Sequence, residues 1–289
     1  MISNRHASAA LKEPGSRDSH SAGGSAPRDV DQSGETTLYS STFFAVQQDG
    51  SIQSAEILVP LVLSRFQVSS VVDVGCGVGG WLNVFGRHGI TDYLGIDGAY
   101  VPLDMLKIPA DKFRAEDLVQ LLDIGRAFDL ACCMEVAEHL PESCAEQLVT
   151  ALVTAAPVIL FSAAIPRQGG TAHVNEQWPS YWAEKFARRG YVAVDCIRPA
   201  IYGNPRVDWW YRQNALIFCR PERCPTGYEP VRSAYELNRV DPSMIEHLFI
   251  PDSGTEAVRT INRALPVLGS AILNKLNIKP RSSGQTPRR

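Results

Sequence analysis

The chain has 289 residues, 45% of them hydrophobic, and a formal net charge of −3. That length suits one α/β domain with extra segments at its ends, and the apolar share is enough for a sizeable core. A sequence pI near 6.1 shows no overall basic footprint for nucleic acid, although a local basic groove stays open. The seven cysteines, Cys76, Cys132, Cys133, Cys144, Cys196, Cys219 and Cys224, are odd in number and form no CxxC pair. Most lie in apolar runs, where a reduced thiol behaves as a small hydrophobe, so a reducing cytoplasm is the expected compartment. The N-terminus shows no apolar leader, and no run of about 18 apolar residues occurs, so neither a signal peptide nor a transmembrane helix is expected.

Residues 1–35 are rich in Ser, Gly, Ala and charge and poor in aromatics. Such a segment cannot bury enough apolar surface to offset its ordering entropy, and disorder is expected there. A helix is expected over 51–66, kinked at Pro60. VVDVG (71–75) reads as a short buried strand, followed by a helix over 79–89 ended by Gly89. TDYLGID (91–97) reads as a second strand, DKFRAED (111–117) contains a third, and FDLACCMEV (128–136) is a fourth. A helix from Pro141 to Thr154, a fifth strand over 157–166 and a helix over 178–190 ended by Gly190 follow. YVAVDCI (191–197) and QNALIFCR (213–220) complete the set as a hairpin-like, antiparallel addition. Alternating strands and helices of this kind imply a mainly parallel α/β sheet with a terminal antiparallel strand and helices on both faces. The expected organisation is a disordered segment over 1–35, a folded domain over 50–220, and a loop-rich and helical extension over 221–289. Within that extension, Thr255 to Leu276 reads as a helix pair broken at Pro266, packed on the domain or on a partner copy, with a frayed basic tail behind it.

The sharpest local signal is Asp73-Val74-Gly75-Cys76-Gly77-Val78-Gly79-Gly80, where a strand ends and a helix begins. Glycine lets such a turn adopt positive φ and lets a ligand approach the main chain, and ligands of open α/β sheets bind beyond the C-terminal strand ends. Gly75, Gly77 and Gly80 also satisfy GxGxxG, so the turn alone leaves a nicotinamide-dependent oxidoreductase open.

VVDVGCGVGGWL resembles motif I of class I S-adenosylmethionine (SAM)-dependent methyltransferases. LGIDG, FRAEDL and FDLACCMEVAEHLP resemble the second-, third- and fourth-strand motifs of the same family, in the same order, over roughly residues 50–220. The resemblance implies a Rossmann-like fold and an S-adenosyl-L-methionine cofactor. It implies that Gly75, Gly77 and Gly79 line the methionine and ribose portion, and that Asp73 helps bind the methionine amino end. It implies further that Asp97 accepts the ribose hydroxyls and that Asp117, with the Leu118 backbone, contacts adenine. A protein that keeps the SAM fold without turnover is the other reading.

Glu135, Glu138 and His139 follow the fourth strand as ExxEH, and His173 follows the fifth. On one helical turn, positions i, i+3 and i+4 share a face. The arrangement resembles small-RNA 2′-O-methyltransferases, which hold a divalent cation with ExxEH and a distant His, and ubiquinone-biosynthesis O-methyltransferases. The resemblance implies metal ligands at Glu135, Glu138, His139 and His173, with Mg or Mn among the candidate ions. Such a cation would lower the pKa of an acceptor hydroxyl; without it, His139 or His173 would be the general base. The same Glu and His can instead shape the SAM pocket and cap the next helix. Fewer residues separate His139 from His173 than in the RNA enzymes, which argues against an RNA acceptor.

Two aromatic clusters, HVNEQWPSYW and VDWWYRQN, suit a sugar ring and could equally stack nucleobases or pack as core, with Asn175 and Gln177 expected in the pocket and Trp182 in the core with Phe186. The expected partner is a small-molecule acceptor, a sugar, glycan precursor or secondary metabolite, rather than nucleic acid.

Overall fold

The computed structural model describes residues 41–120 and 122–249. The N-terminal segment 1–35 and the C-terminal helix pair fall outside the described residues. Helix α1 (Ser41–Arg65) leads into β1 (Ser70–Val74), α2 (Gly80–Arg87), β2 (Asp92–Asp97) and β3 (Phe113–Ala115). Then come β4 (Leu130–Met134), α3 (Ala145–Ala155), β5 (Val158–Ser162) and α4 (Pro179–Ala187). The chain continues through β6 (Val192–Val194), α5 (Arg198–Ile201), α6 (Trp209–Asn214), β7 (Leu216–Cys219) and α7 (Pro242–Phe249).

All seven strands form one sheet in the order β3-β2-β1-β4-β5-β7-β6. The first five in that order run parallel, and β7 is antiparallel to both β5 and β6. This is the Rossmann-like sheet with a terminal antiparallel strand. The strand order reverses between β1 and β4, which opens a crevice beyond their C-terminal ends. The glycine turn leaves β1 there and ExxEH leaves β4 beside it, with Asp73 in register with Cys132.

Alternation along the buried strands feeds two cores. Leu130 and Cys132 join Val71, Val158, Leu160 and Ile217 under Leu58, Val62, Leu82 and Phe85 of α1 and α2. Ala131 and Cys133 face the other way, with Val72, Ile159, Phe161 and Phe218 under Leu148, Leu152, Trp182 and Phe186 of α3 and α4. There Phe186 stacks on Phe218 with ring centroids 4.1 Å apart, and Trp182 meets Phe161 at 5.3 Å. Six of the seven cysteines are buried and all seven are free thiols.

Several elements differ from the sequence expectation. Helix α1 starts at Ser41, ten residues before the expected start, and keeps Pro60 inside it as expected. The helix expected from Pro141 starts at Ala145, after a 3-10 turn over Glu142–Cys144. The last two strands are no simple hairpin: β7 sits between β5 and β6, and α5 and α6 fill the connection. Gln213 and Asn214 close α6 instead of opening β7. Gly89 and Gly190 do end their helices; Ile90 N–H reaches back to Phe85 O at 3.1 Å, and Tyr191 N–H to Phe186 O at 3.1 Å. Among the described residues, no helix is long and apolar enough to cross a membrane.

Candidate active site

The turn after β1 needs left-handed backbone at three positions, Gly75 (φ 80°), Gly77 (φ 53°) and Gly79 (φ 82°). A Cβ on Gly75 would collide with Val136, just beyond β4. The amides of Gly75 and Cys76 both donate to Ile96 O, at 2.8 and 3.2 Å, which ties the turn to the end of β2.

Two buried carboxylates flank this turn. Asp97 accepts the Gly77 amide on Oδ2 at 2.7 Å, and the Gly98 amide and Tyr100 hydroxyl on Oδ1 at 2.6 and 2.7 Å. Burial raises its pKa, and those bonds oppose the rise. Asp73 is 2% exposed and its Oδ2 has no hydrogen-bond partner. Burial first, and the nearby Asp97 charge second, push its pKa up to about 8. An orphaned carboxylate oxygen facing a cavity calls for a cationic or donor group. The cavity measures about 290 Å³, and its walls include Asp73, Gly75, Gly77, Asp97, Tyr100, Asp117 and Leu118. Gly79 is not among the lining residues; it starts α2 behind them. Asp117 is exposed, with Oδ1 bound by the Val119 amide at 3.0 Å, and Leu118 is buried. Ser51 of α1 and Tyr211 of α6 close the cavity from above, their hydroxyls 3.3 Å apart.

Glu135 and His139 line the same cavity. Residues Ala137–His139 form a 3-10 turn, which gathers Glu138 and His139 with His173 so that one potential ligand atom from each lies within 4.8 Å of the others. The two imidazoles meet edge to face, centroids 4.9 Å apart. Glu138 is fully buried, and neither carboxylate oxygen has a hydrogen-bond partner of normal geometry. Burial, then the charge of Glu135 and a side-chain hydrogen bond with it, hold its pKa well above the carboxylate range, and nearby amides of Glu138 itself and Ala164 only soften this. His139 is pushed down to about 4 by burial and by His173, with the Ala172 carbonyl opposing. It is therefore neutral at physiological pH, the state that a ligand or a general base requires.

Glu135 stands beside this trio rather than within it. Its backbone is left-handed (φ 56°), uncommon for a residue with a side chain. Its Oε2 accepts Gln168 Nε2 at 3.0 Å and its Oε1 accepts Asn214 Nδ2 at 3.2 Å. Burial raises its pKa, and the bonds from Asn214, Ser162 and Gln168 counter that rise. Gln168, Tyr100 and Ser51 are site residues that sequence reasoning did not assign, whereas Tyr211 and Asn214 lie in the VDWWYRQN stretch expected to suit a sugar ring. Of the three, Gln168 alone carried a signal, its place just before the GGTAH segment. Asn175 is buried and bonds to Ala137 O at 3.4 Å, and Gln177 donates to Asn175 Oδ1 at 3.1 Å; both brace the turn rather than face the cavity. Trp182 is core, as expected, and Arg212 is held by Asp241 at 3.0 Å.

Residues 52–190 match the family model of a methyltransferase domain. That match, over just under half of the chain, favours a methyltransferase reading of the glycine turn over a nicotinamide dinucleotide. The chain is similar in structure to the sugar N-methyltransferase KedS8 from Streptoalloteichus sp., at 16% identity, over 65% of this chain and 97% of that one, with a TM-score of 0.47. Similarity to CalS10, an amino pentose methyltransferase from Micromonospora echinaspora, is 18% identity over 64% and 99% of the two chains, TM-score 0.46. DesVI of Streptomyces venezuelae is similar at 20% identity and a TM-score of 0.36 over 45% of this chain, which spans only 58% of DesVI. No curated protein sequence matches.

Proposed function

We propose that this enzyme transfers the methyl group of SAM to a hydroxyl of a small molecule, a sugar, glycan precursor or secondary metabolite, with the help of a divalent cation. The observation that carries the reading is the convergence of Glu138, His139 and His173 at the edge of the SAM cavity, around a buried Glu138 carboxyl that meets Glu135 and has no donor at normal hydrogen-bond geometry. One carboxylate and two imidazoles suit Mn, Fe, Co or Zn by ligand type, and Mg with retained waters. Glu135 braces the set, and stands as a fourth ligand only if its amide bonds are exchanged.

In this reading the turn amides with Gly75 and Gly77 cradle the methionine and ribose portion of SAM, and Gly79 behind them holds the turn in shape. Asp73 takes the methionine amino group, Asp97 the ribose hydroxyls, and Asp117 with Leu118 the adenine. Bound SAM supplies an electrophilic methyl carbon, and a bound divalent cation supplies Lewis acidity that makes a hydroxyl more acidic. The chain contributes placement, which can supply roughly 7–11 kcal/mol of a bimolecular barrier. His139, neutral above about pH 4, and His173 are the residues placed to hold the cation or to take the hydroxyl proton.

Calorimetric titration with SAM, S-adenosylhomocysteine and NADH, each with and without Mn²⁺, tests the cofactor. Methyl transfer to hydroxylated sugars, assayed with chelator and with Mn²⁺ restored, tests the chemistry. SAM binding without NADH binding and chelator-sensitive transfer to oxygen are expected. Transfer that ignores the chelator would overturn the cation, and transfer to an amine would overturn the O-methylation.

A further inference from the structure

The loop between β5 and α4 is held in a conformation that its side-chain-bearing residues resist. Arg167 (φ 72°) and Ala172 (φ 58°) are both left-handed, as are Gly169 (φ 72°) and Gly170 (φ 147°) between them. Such backbone persists only where surrounding contacts over-determine it. One carboxylate supplies those contacts. Glu176 accepts the Arg167 amide on Oε2 at 2.7 Å, the Gly169 amide on Oε1 at 2.7 Å, and lies 3.1 Å from His173 Nδ1 through Oε1. The far side of the loop is fastened to the ExxEH turn, because the amides of Val174 and Asn175 both donate to Glu138 O, at 2.8 and 3.0 Å. A Cβ on Gly170 would collide with the His173 ring, so glycine there leaves the imidazole its place.

We infer that Glu176 is the positioning residue of the cation site: it closes the loop, fixes His173 as the Nδ1–H tautomer, and leaves Nε2 bare for a divalent cation. This rests on the cation reading proposed above. The argument is one of donors and acceptors. Each Glu176 oxygen already accepts a backbone amide, so the His173 nitrogen facing Oε1 is the donor and carries the hydrogen. The remaining nitrogen then holds a lone pair, which is what a metal ligand needs. His139 is served in the same way, by the Ala172 carbonyl of the same strained loop. Both imidazoles thus have an outer acceptor, the arrangement that orients metal-ligating histidines and raises their basicity. A staple with a purely structural task would need the two loop amides but not the imidazole.

The test uses the full chain labelled with ¹⁵N-histidine, with His173→Ala assigning the signal, and measures Mn²⁺ binding by calorimetry in wild type, Glu176→Ala and Glu176→Gln. In the cation-free wild type, His173 should show a protonated Nδ1 and a bare Nε2. Each Glu176 variant should shift His173 towards the Nε2–H tautomer and weaken Mn²⁺ binding about 10- to 100-fold, while SAM affinity, which reports the β1–β2 cavity, stays unchanged. An Nε2–H tautomer in the wild type overturns the proposal without any variant. Unchanged Mn²⁺ affinity in variants that still bind SAM overturns it too, and leaves the cation site standing. No Mn²⁺ binding to the wild type removes the cation reading and this role with it.

Discussion

In the proposed reading, Asp73 gives the SAM site a proton count that can be measured. Its carboxyl is buried, one oxygen lacks a partner, and its pKa is raised to about 8, chiefly by burial and then by Asp97. In the SAM-free protein it therefore keeps its proton below about pH 8. Pairing with the ammonium of the methionine end requires the ionised form, so binding below that pH releases one proton. An α-amino group loses its own proton near 7.7–8.0 on ordinary reference values, so above about pH 8 binding must take one proton up. SAM affinity should rise about tenfold per pH unit from about pH 6, roughly 100-fold in all, peak near pH 8 and then decline. Calorimetry in two buffers of different ionisation enthalpy counts the proton directly. Asp73→Asn should lose both the slope and the proton release. 5′-Methylthioadenosine, which lacks the amino acid end, should bind without releasing a proton even to the wild type. The same group sets a stability signature of opposite direction. An acid whose pKa is higher folded than unfolded binds extra protons when folded, so the cofactor-free protein loses stability as pH climbs from about 4 through about 8. Asp73→Asn should accordingly melt higher than wild type at pH 8. A wild-type affinity that is flat with pH, or an unchanged slope in Asp73→Asn, would refute the pairing of Asp73 with the amino group.

Other expectations follow from neighbouring contacts. Asp97→Ala should abolish SAM binding, because Asp97 fastens the Gly77 amide and, in the proposed reading, offers the ribose acceptors; unchanged affinity would move the ribose elsewhere. Tyr100→Phe frees Asp97 Oδ1 from a 2.7 Å bond that the ribose must displace, so SAM should bind about fivefold tighter, the worth of a net hydrogen bond of ~1 kcal/mol. Weaker binding would mean that Tyr100 and the ribose share the carboxylate. His139→Ala should spare SAM affinity and stop methyl transfer, read by calorimetry and by a radiolabelled methyl assay. Phe186→Ala removes a fully buried ring stacked on Phe218 and should cost about 3–5 kcal/mol in urea unfolding.

The parts legible in the sequence are those where a local physical demand has few residue solutions. Three glycines in five positions after an apolar strand announce three left-handed residues, and the structure uses all three. Gly89 and Gly190 mark helix ends for a related reason. Strands β4 and β5 are buried throughout and, Ser162 apart, apolar, because both faces are covered, so they read plainly as strands. The aromatic stretch WWYRQN runs straight into an apolar strand, and periodicity over so few residues cannot separate α6 from β7. Tertiary contacts decide it, with Tyr211 roofing the cavity and Arg212 anchored to Asp241.

The role of Glu135 was hidden for a different reason. Spacing alone makes Glu135, Glu138 and His139 equivalent members of one helical face. The segment is a 3-10 turn entered through a left-handed Glu135, and that backbone inversion separates the first acid from the other two. Its amide partners come from 33 and 79 residues away, beyond any local pattern. Once turned, Glu135 needs donors, and Gln168 and Asn214 supply them inside a wider buried network. Gln168 Oε1 accepts Gln213 and Asn214 at 3.1 and 2.9 Å, and Gln213 Oε1 takes the Asp241 amide at 2.9 Å. A buried network of this kind fixes its geometry only when nearly every member is bonded. The side-chain oxygens left over at the cavity and its edge, Asp73 Oδ2, both oxygens of Glu138 and Asn214 Oδ1, are then informative. Two acids as close as Glu135 and Glu138 cannot both ionise cheaply in a dry site. The amides serve Glu135, and Glu138 is left for a proton or, in the proposed reading, a cation.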